Sequence, residues 1–202
     1  MEIEDKYQAL LQRTQGDYQA FLYDCDGTLA RNMHLHKAAY IDAAAQYGID
    51  LDPELIDETA GWPTVKVAAE INQRYGSELE PSRFAKEKSG IYMQKYILQT
   101  QPVEFVVRHL IAHAGKLPVA IVTGGSRRTV SKTLNVLGIS KHIDLMVCSG
   151  ETERGKPYPD PFLKAAELLQ VAPQKCLVFE DGAPGVQAAI AAGMDWIRVD
   201  QI

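Results

Sequence analysis

Residues 21–30, FLYDCDGTLA, place two aspartates, Asp24 and Asp26, directly after a short apolar run. Gly27 and Thr28 follow, and because aspartate and glycine are poor strand formers, the apolar run is predicted to end as a β-strand at Asp24. In isolation, a D-x-D-G pattern is most simply a turn with solvated acids. The alternative is a catalytic carboxylate pair, and the choice depends on which side chains the rest of the chain places beside it.

The composition of the 202-residue chain is that of an ordinary globular protein, with 46% hydrophobic and 23% charged residues. The length suffices for one large domain or two small ones, each with its own core. The net charge of −5 argues against a nucleic-acid partner, because proteins that bind by neutralising phosphates normally present a basic face.

Three features bear on localisation. No apolar run approaches the ~20 residues needed to span a bilayer, so no membrane partner is expected. Residues 1–15 are acidic and polar and lack the apolar core of a signal peptide. Cys25, Cys148 and Cys176 lack C-x-x-C spacing and indicate neither a disulfide framework nor a zinc site. We therefore expect a cytoplasmic protein.

The middle of the chain shows helical periodicity and no convincing strand between Arg31 and Gln101. Gly48 and Gly76 are helix stop signals, and Pro81 suits the first turn of a helix. The helices predicted here span 33–47, 53–59, 64–75 and 81–97.

On either side of this stretch, helices alternate with apolar strands. A helix over 4–15 precedes the strand 20–24, and after residue 101 the predicted helices are 103–115, 126–138, 159–170 and 183–193. The predicted strands after residue 101 are 117–125, 143–150, 175–182 and 195–200. Alternation of this kind indicates βαβ units, and strands without polar alternation indicate a parallel sheet with both faces covered. The predicted fold is an α/β core of residues 1–31 and 102–202, Rossmann-like, with an all-helical cap of residues 32–101 inserted after the first strand.

Polar side chains stand at the exits of several predicted strands, where open parallel sheets bind their ligands. Thr123, Gly124 and Gly125 follow the second strand of the core, and Lys156 follows the third. Glu180 and Asp181 follow the fourth. Each taken singly has a plainer explanation as a strand end, a surface lysine or a capped helix start. Together with Asp24 and Asp26, however, they fall where one pocket could hold them all.

Several carboxylates in one pocket repel one another unless a cation lies among them, and oxygen ligands without histidine or cysteine indicate Mg²⁺. These groups suit phosphoryl transfer. Asp24 is predicted to attack phosphorus, and Asp26 to protonate the leaving oxygen and later activate water. Lys156, Thr123 and the glycine turn would bind the phosphoryl oxygens. Asp181 would bind the metal directly, and Glu180 directly or through a water.

The segments DCDGT, VTGGS, GKPYPD and FEDGAPGV resemble the four motifs of the haloacid dehalogenase superfamily of phosphohydrolases. The resemblance covers the chain after residue 18, and the helical insertion makes the chain similar to the subfamily of β-phosphoglucomutase and small sugar-phosphate phosphatases. It implies the same roles as above, with Asp26 binding magnesium through its backbone carbonyl. Dehalogenases of the superfamily lack the second aspartate, so a C–Cl substrate is not expected.

The resemblance also implies substrate contacts from the cap. His36 matches a histidine near the active site of β-phosphoglucomutase-like sequences, and Lys88 is close to a cap lysine of the mutase. Both also suit a solvated helix surface. Thr64 stands where the mutase has an arginine that grips a second phosphate, and its neighbour Trp62 could stack on a sugar ring or pack between cap helices. Arg31-Asn32 departs from the family pattern at the hinge.

The expected function is hydrolysis of a small phosphorylated metabolite, with a sugar phosphate as the favoured class, by a Mg²⁺-dependent monomer or small homo-oligomer. A sugar phosphomutase is the second enzyme hypothesis, disfavoured by Thr64, although Lys88 could supply the missing cation. A binding protein that has kept the fold and lost the chemistry is the third, disfavoured because all predicted catalytic groups are present.

Overall fold

The computed structural model describes residues 2–59 and 61–202, and the chain divides into two compact units. Residues 1–31 and 101–202 form one, here called the α/β unit, and residues 32–100 form the other, here called the helical unit. Among the described residues, none of the helices combines the length and apolarity needed to cross a bilayer.

The strands are short, and those other than 30–31 and 101–102 lie within the predicted ranges. In chain order they are β1 (Ala20–Tyr23), β2 (Ala30–Arg31), β3 (Gln101–Pro102), β4 (Val119–Val122), β5 (Leu145–Val147), β6 (Cys176–Glu180) and β7 (Asp195–Arg198). The α-helices are α1 (Ile3–Arg13), α2 (Met33–Ala45), α3 (Pro53–Glu58), α4 (Thr64–Tyr75), α5 (Pro81–Ile91), α6 (Glu104–His113), α7 (Arg127–Val136), α8 (Asp160–Leu169) and α9 (Ala183–Ala191).

Five strands of the α/β unit form one parallel sheet in the order β5-β4-β1-β6-β7. The chain moves from β1 outward through β4 and β5, and then returns to the other side of β1 with β6. The strand order therefore reverses beside β1, and the carboxyl ends of β1, β4 and β6 flank the point where such sheets bind ligands.

Helices cover both faces of this sheet. Successive strand residues point to opposite faces, so each strand contributes side chains to both cores. Phe21 and Tyr23 of β1 pack in a core with α1, α6 and α7, whereas Ala20 and Leu22 pack in a second core with α8 and α9. The prediction of a Rossmann-like core with a parallel sheet and helices on both faces is thus confirmed.

Three helix ends of the helical unit lie at residues that the sequence marks as caps, stops or first-turn positions. Asp52 caps α3 by accepting a hydrogen bond from the Glu54 N–H (2.9 Å). Pro81 lies in the first turn of α5, and Gly76 closes α4 with a φ of 62°, in the left-handed region that glycine adopts at low cost. Tyr40, Ile71 and Phe84 belong to the core of this unit.

Two features differ from the prediction. The helix expected over 81–97 is α-helical only to Ile91 and continues as a π-helical turn over Tyr92–Tyr96 and a 3₁₀ turn over Ile97–Gln99. Periodicity misses this change because the apolar residues still recur at helical spacing. The antiparallel pair of β2 and β3 was not predicted, since two residues are too few to show alternation.

Candidate active site

Asp24 is the first residue after β1, and its side chain is largely buried. Its backbone N–H donates to the Phe179 carbonyl of β6 (2.9 Å), which continues the sheet pairing to the aspartate itself. A tight turn follows, in which the N–H groups of Leu29 and Ala30 both donate to the Cys25 carbonyl (2.9 Å each). The turn therefore holds Asp24 and the residues after it at the carboxyl edge of the sheet.

Lys156 joins three strand exits through its ammonium group. Its Nζ donates to Asp24 Oδ1 (2.7 Å) and to the Val122 carbonyl at the end of β4 (2.8 Å). It also donates to Glu180 Oε1 at the end of β6. All three donors of the ammonium group thus have partners, and the surface-lysine alternative is wrong for Lys156, whose side chain is only 11% exposed.

Glu180 is the last residue of β6 and is 3% exposed. Its second oxygen, Oε2, accepts from the N–H groups of Asp181 (3.2 Å) and Gly182 (3.3 Å). The absence of a side chain at Gly185 in α9 makes room for this carboxylate, because a β-carbon there would lie 1.9 Å from Glu180 Oε1. Both oxygens of Glu180 are therefore held by donors of the protein.

Asp181 lies against the turn that follows β1. Its Oδ1 accepts a hydrogen bond from the Thr28 hydroxyl (3.0 Å). Gly27, with a φ of 90°, permits this approach, because a β-carbon on it would lie 2.0 Å from Asp181 Oδ2. The turn after β1 and the acid that follows β6 are thus fitted to each other at a distance that only glycine allows.

Carboxylate oxygens of Asp24, Glu180 and Asp181 lie within 4.8 Å of one another. Burial raises the pKa of Asp24 well above its usual range, and the charges of Glu180 and Asp181 raise it further although Lys156 opposes them. Burial, with the Glu180 charge, also raises the pKa of Asp181 to about 6. Burial alone would lower the pKa of Lys156, but the charges of Asp24 and Glu180 raise it above its usual value.

Three carboxylates around one ammonium leave an excess of negative charge in a buried pocket. An added cation would relieve this repulsion, and the donors available to it are all oxygen atoms, which suit Mg²⁺. The residues present therefore fit the magnesium ion that the sequence predicts.

The turn after β4 carries the remaining predicted phosphate ligands. The Gly125 N–H donates to Thr123 Oγ1 (3.1 Å), and Ser126 caps α7 immediately afterwards. A β-carbon on Gly125 would lie 3.5 Å from Asp26 Oδ2 and 3.5 Å from Thr123 Oγ1. Asp26, Thr123 and Gly125 are thus neighbours, whereas Gly124 of the same turn is exposed to solvent.

The predicted cap residues lie in the helical unit, where two of them are in contact. Lys88 Nζ lies 2.9 Å from His36 Nδ1 and 4.3 Å from the centre of the Tyr40 ring. His36 stacks on Tyr92, with ring centres 3.9 Å apart. The solvated alternative is wrong for Lys88, which is 7% exposed.

Thr64 and Trp62 mark the start of α4. The Tyr40 hydroxyl donates to Thr64 Oγ1 (2.9 Å), so the threonine is held within the helical unit. Trp62 is 46% exposed, and the expectation that it packs between cap helices is wrong. The aromatic ring is left available at the surface of the unit.

Sequence reasoning assigned no role to Thr28, Gly27 or Gly185. Thr28 and Gly27 stand inside the first motif, and a fully buried threonine next to acids is a signal for a hydrogen-bonded carboxylate. Gly185 lies within a helix, where glycine costs about 1 kcal/mol relative to alanine, and this signals a close approach.

Comparison with known proteins gives a consistent result. The family model of haloacid dehalogenase-like hydrolases matches residues 18–193. Fructose-1-phosphate phosphatase YqaB of Escherichia coli is 31% identical over 182 residues, covering 90% of this chain and 96% of that protein. A phosphorylated carbohydrates phosphatase of Thermotoga maritima is 30% identical over 190 residues, covering 89% of this chain and 83% of that protein.

Among solved structures, β-phosphoglucomutase of Clostridium difficile superimposes with a TM-score of 0.75 at 26% identity, covering 89% of this chain and 83% of that chain. The family model spans all four acids and the lysine described above, and the phosphatase of Escherichia coli covers most of the sequence. The chain therefore belongs to the haloacid dehalogenase-like hydrolases and is a phosphoric monoester hydrolase.

Proposed function

We propose that the protein is a Mg²⁺-dependent phosphatase that hydrolyses a small phosphorylated carbohydrate through an aspartyl-phosphate intermediate. The observation that carries the proposal is the buried cluster in which Lys156 binds Asp24 and Glu180, with Asp181 alongside, at the strand-order reversal of the sheet. The substrate class is supported by relatives whose names specify fructose 1-phosphate and phosphorylated carbohydrates.

In the first step, a carboxylate oxygen of Asp24 attacks phosphorus. A P–O bond to Asp24 forms, the P–O bond to the sugar breaks, and Asp26 donates a proton to the departing oxygen so that it leaves as an alcohol. Lys156 supports the attack because its ammonium favours the ionised form of Asp24 and restrains the carboxylate.

In the second step, Asp26 accepts a proton from water as the water oxygen attacks phosphorus. The bond between phosphorus and Asp24 breaks, inorganic phosphate leaves, and the carboxylate of Asp24 is regenerated. The neighbourhood of Asp26 and Gly125 supports this role, since the glycine turn is where the phosphoryl oxygens would be bound.

The phosphoryl oxygens would be bound by the hydroxyl of Thr123, by the backbone N–H groups of Gly124 and Gly125, and by Lys156. These donors lie on two loops of the same sheet edge. They stabilise the charge that develops on the oxygens in the transition state.

Magnesium would be held by the carboxylates of Asp24 and Asp181 and by the backbone carbonyl of Asp26. Glu180 would contribute through a water, because both of its oxygens already accept from the protein. When bound, Mg²⁺ neutralises charge on the phosphoryl oxygens and on the crowded carboxylates.

The helical unit would supply the residues that recognise the leaving group. We assign the leaving group to His36, Lys88, Trp62 and Thr64, of which Trp62 presents an exposed ring suited to a sugar face. At the position where the mutase has an arginine, Thr64 offers only a hydroxyl, which is already hydrogen-bonded to Tyr40. A second phosphate would therefore be weakly held. This favours hydrolysis over phosphomutase activity.

The test is phosphate release from a panel of phosphorylated sugars and polyols, including fructose 1-phosphate, with Mg²⁺ and with EDTA. We expect release with Mg²⁺ only, and a loss of at least about 10³-fold in Asp24→Asn, because no nucleophile remains. Asp57→Asn, which removes an exposed acid of the helical unit, should retain full activity.

The same panel separates the alternatives. Conversion of β-glucose 1-phosphate plus a bisphosphate activator to glucose 6-phosphate, without free phosphate, would indicate the mutase. Equal phosphate release by the wild type and Asp24→Asn would contradict the assigned nucleophile.

A further inference from the structure

The helix α1 lies outside the residues that the family model matches, which begin at residue 18. It nevertheless packs closely on α6. Tyr7 and Leu10 are buried against this helix, Arg108 lies 4.0 Å from the centre of the Tyr7 ring, and Arg108 pairs with Glu4 (2.5 Å). These contacts hold α1 firmly against α6.

A chain of buried hydrogen bonds leads from the end of α1 to β1. Thr14, which ends α1, lies with its Oγ1 3.2 Å from His109 Nε2. The other ring nitrogen, Nδ1, lies 2.8 Å from the hydroxyl of Tyr23. His109 and Tyr23 are completely buried, and Tyr23 is the residue immediately before Asp24. Three elements, α1, α6 and β1, are thus connected through polar groups inside the core.

The partners of this chain leave one consistent pattern of donors. The Thr14 hydroxyl donates to the Leu11 carbonyl (3.0 Å), so its oxygen accepts from the N–H at Nε2 of His109. Nδ1 then carries no proton and accepts from the Tyr23 hydroxyl. His109 is accordingly neutral, in agreement with its pKa, which burial, with the nearby His113, lowers to about 3.

The Tyr23 end of this series of hydrogen bonds lies beneath the acids. Tyr23 and Phe179 are paired residues of β1 and β6, and their rings stack with centres 4.3 Å apart. The centre of the His109 ring lies 6.2 Å from the centre of the Tyr23 ring and 5.1 Å from that of the Phe179 ring. The residues that follow them, Asp24 and Glu180, are the two carboxylates bound by Lys156.

We infer that Thr14, His109 and Tyr23 form a positioning network that fixes the carboxylate of Asp24 for attack, and that α1 completes this network by placing Thr14. One peptide unit separates the Tyr23 ring from Asp24, so movement of the ring is transmitted to the nucleophile. The inference rests on the proposed function, in which Asp24 attacks phosphorus. A misplacement of about 1 Å at a reacting group costs about 10²-fold in rate.

The experiment measures kcat and KM for p-nitrophenyl phosphate with Mg²⁺ in Tyr23→Phe, Thr14→Val and Thr14→Ser. We expect Tyr23→Phe to lower kcat by about tenfold or more with KM within about twofold, because the hydrogen bond serves the attack and not substrate binding. Thr14→Val should lower kcat about threefold or more, whereas Thr14→Ser, which keeps the hydroxyl, should retain the wild-type kcat.

Thr133→Val is the matched control. Thr133 is a fully buried threonine of α7 whose Oγ1 has no hydrogen-bond partner in the part of the chain that the structure describes, so its loss should leave kcat unchanged. In the double variant Thr14→Val/Tyr23→Phe, the two losses should not add, because both substitutions interrupt one network.

The outcomes are distinguishable. Folded Tyr23→Phe and Thr14→Val with the kcat of Thr133→Val would overturn the inference and leave the proposed function intact. A wild type without Mg²⁺- and Asp24-dependent hydrolysis of p-nitrophenyl phosphate would overturn both. If Tyr23→Phe does not fold, the comparison of Thr14→Val with Thr14→Ser decides: equal kcat values would overturn the inference.

Discussion

Among the described residues, Lys156 of the α/β unit and Lys88 of the helical unit are both largely shielded from solvent, and their surroundings differ. Lys156 of the α/β unit contacts two carboxylates and a strand carbonyl. Within the helical unit, Lys88 contacts an imidazole and lies over the rings of Tyr40 and Tyr92. The described partners of Lys156 include opposite charges, and those of Lys88 include polarisable rings.

This difference corresponds to the two halves of a phosphoester. The phosphoryl group is the same in every substrate of this class, and it requires formal charges at fixed positions. The leaving group varies between substrates, and rings and weak polar contacts suit it better than fixed carboxylates. The α/β unit thus provides the features of general phosphoryl chemistry, and we assign the choice of substrate to the helical unit.

The largest contrast is expected between Lys156→Met and Lys88→Met. Removing the Lys156 ammonium leaves Asp24 and Glu180 buried and uncompensated, which should lower the free energy of unfolding by about 3–5 kcal/mol. Hydrolysis of p-nitrophenyl phosphate with Mg²⁺ should fall at least about 10³-fold. Lys88→Met should lower it less than about tenfold, because we assign Lys88 to the leaving group and not to the phosphoryl group. Initial rates and urea unfolding measure both; equal losses in the two variants would contradict the division of roles.

A second contrast concerns two glycines with positive φ. In Gly27→Ala the new β-carbon meets Asp181 Oδ2 at 2.0 Å, and the strain should cost about 3 kcal/mol and displace the acid, with loss of activity. Gly76→Ala in the helical unit has the same kind of backbone but nothing within 4 Å, so it should cost about 1–2 kcal/mol and keep its activity. Urea unfolding and phosphate release test this pair. Full activity in Gly27→Ala would show that the close fit to Asp181 is unimportant.

Magnesium should stabilise the acid cluster independently of turnover. At 100 times its dissociation constant, a ligand of the folded state adds about 2.7 kcal/mol, which thermal unfolding detects as a higher Tm. The gain should be reversed by EDTA and lost in Asp181→Asn, but kept in Asp57→Asn of the helical unit. A gain of equal size in Asp181→Asn would place the ion elsewhere.

A smaller effect, about 2 kcal/mol between pH 7.5 and 5, is expected from the pH dependence of stability due to His109. Its pKa is lowered from 6.5 to about 3 by burial and by His113, so the unfolded chain binds a proton that the native protein excludes. The contribution is fully present above pH 6.5 and is lost as the pH falls toward 3, by up to about 1.4 kcal/mol per pH unit.

Urea unfolding of the wild type and His109→Gln between pH 7.5 and 5 isolates this contribution, because the carboxylates titrate in both proteins. The wild type should lose more stability on acidification than the variant. Identical slopes would mean that His109 is protonated in the native protein.

Local patterns sufficed for most of the fold. Apolar runs, stop glycines and first-turn prolines, such as Gly76 and Pro81, give the order of elements because these signals act over a few residues. The π-helical turn at Tyr92–Tyr96 escaped prediction because its apolar residues still recur at helical spacing, and the β2-β3 pair because two residues are too few to show alternation. The exposure of Trp62 and the burial of Lys88 also escaped prediction, because they depend on packing between distant segments.

The sequence by itself determined the α/β class, the order of its elements and the chemical types gathered at the strand exits, because parallel strands must end at one edge. Only the tertiary structure decided which of these groups touch: that Lys156 bridges Asp24 and Glu180, that Thr28 holds Asp181, and that Gly27 and Gly185 make space for carboxylates. The contacts of Asp24 with Lys156 and of Thr28 with Asp181 join residues more than a hundred positions apart. No local pattern encodes the distance between two side chains that meet only after the sheet has formed.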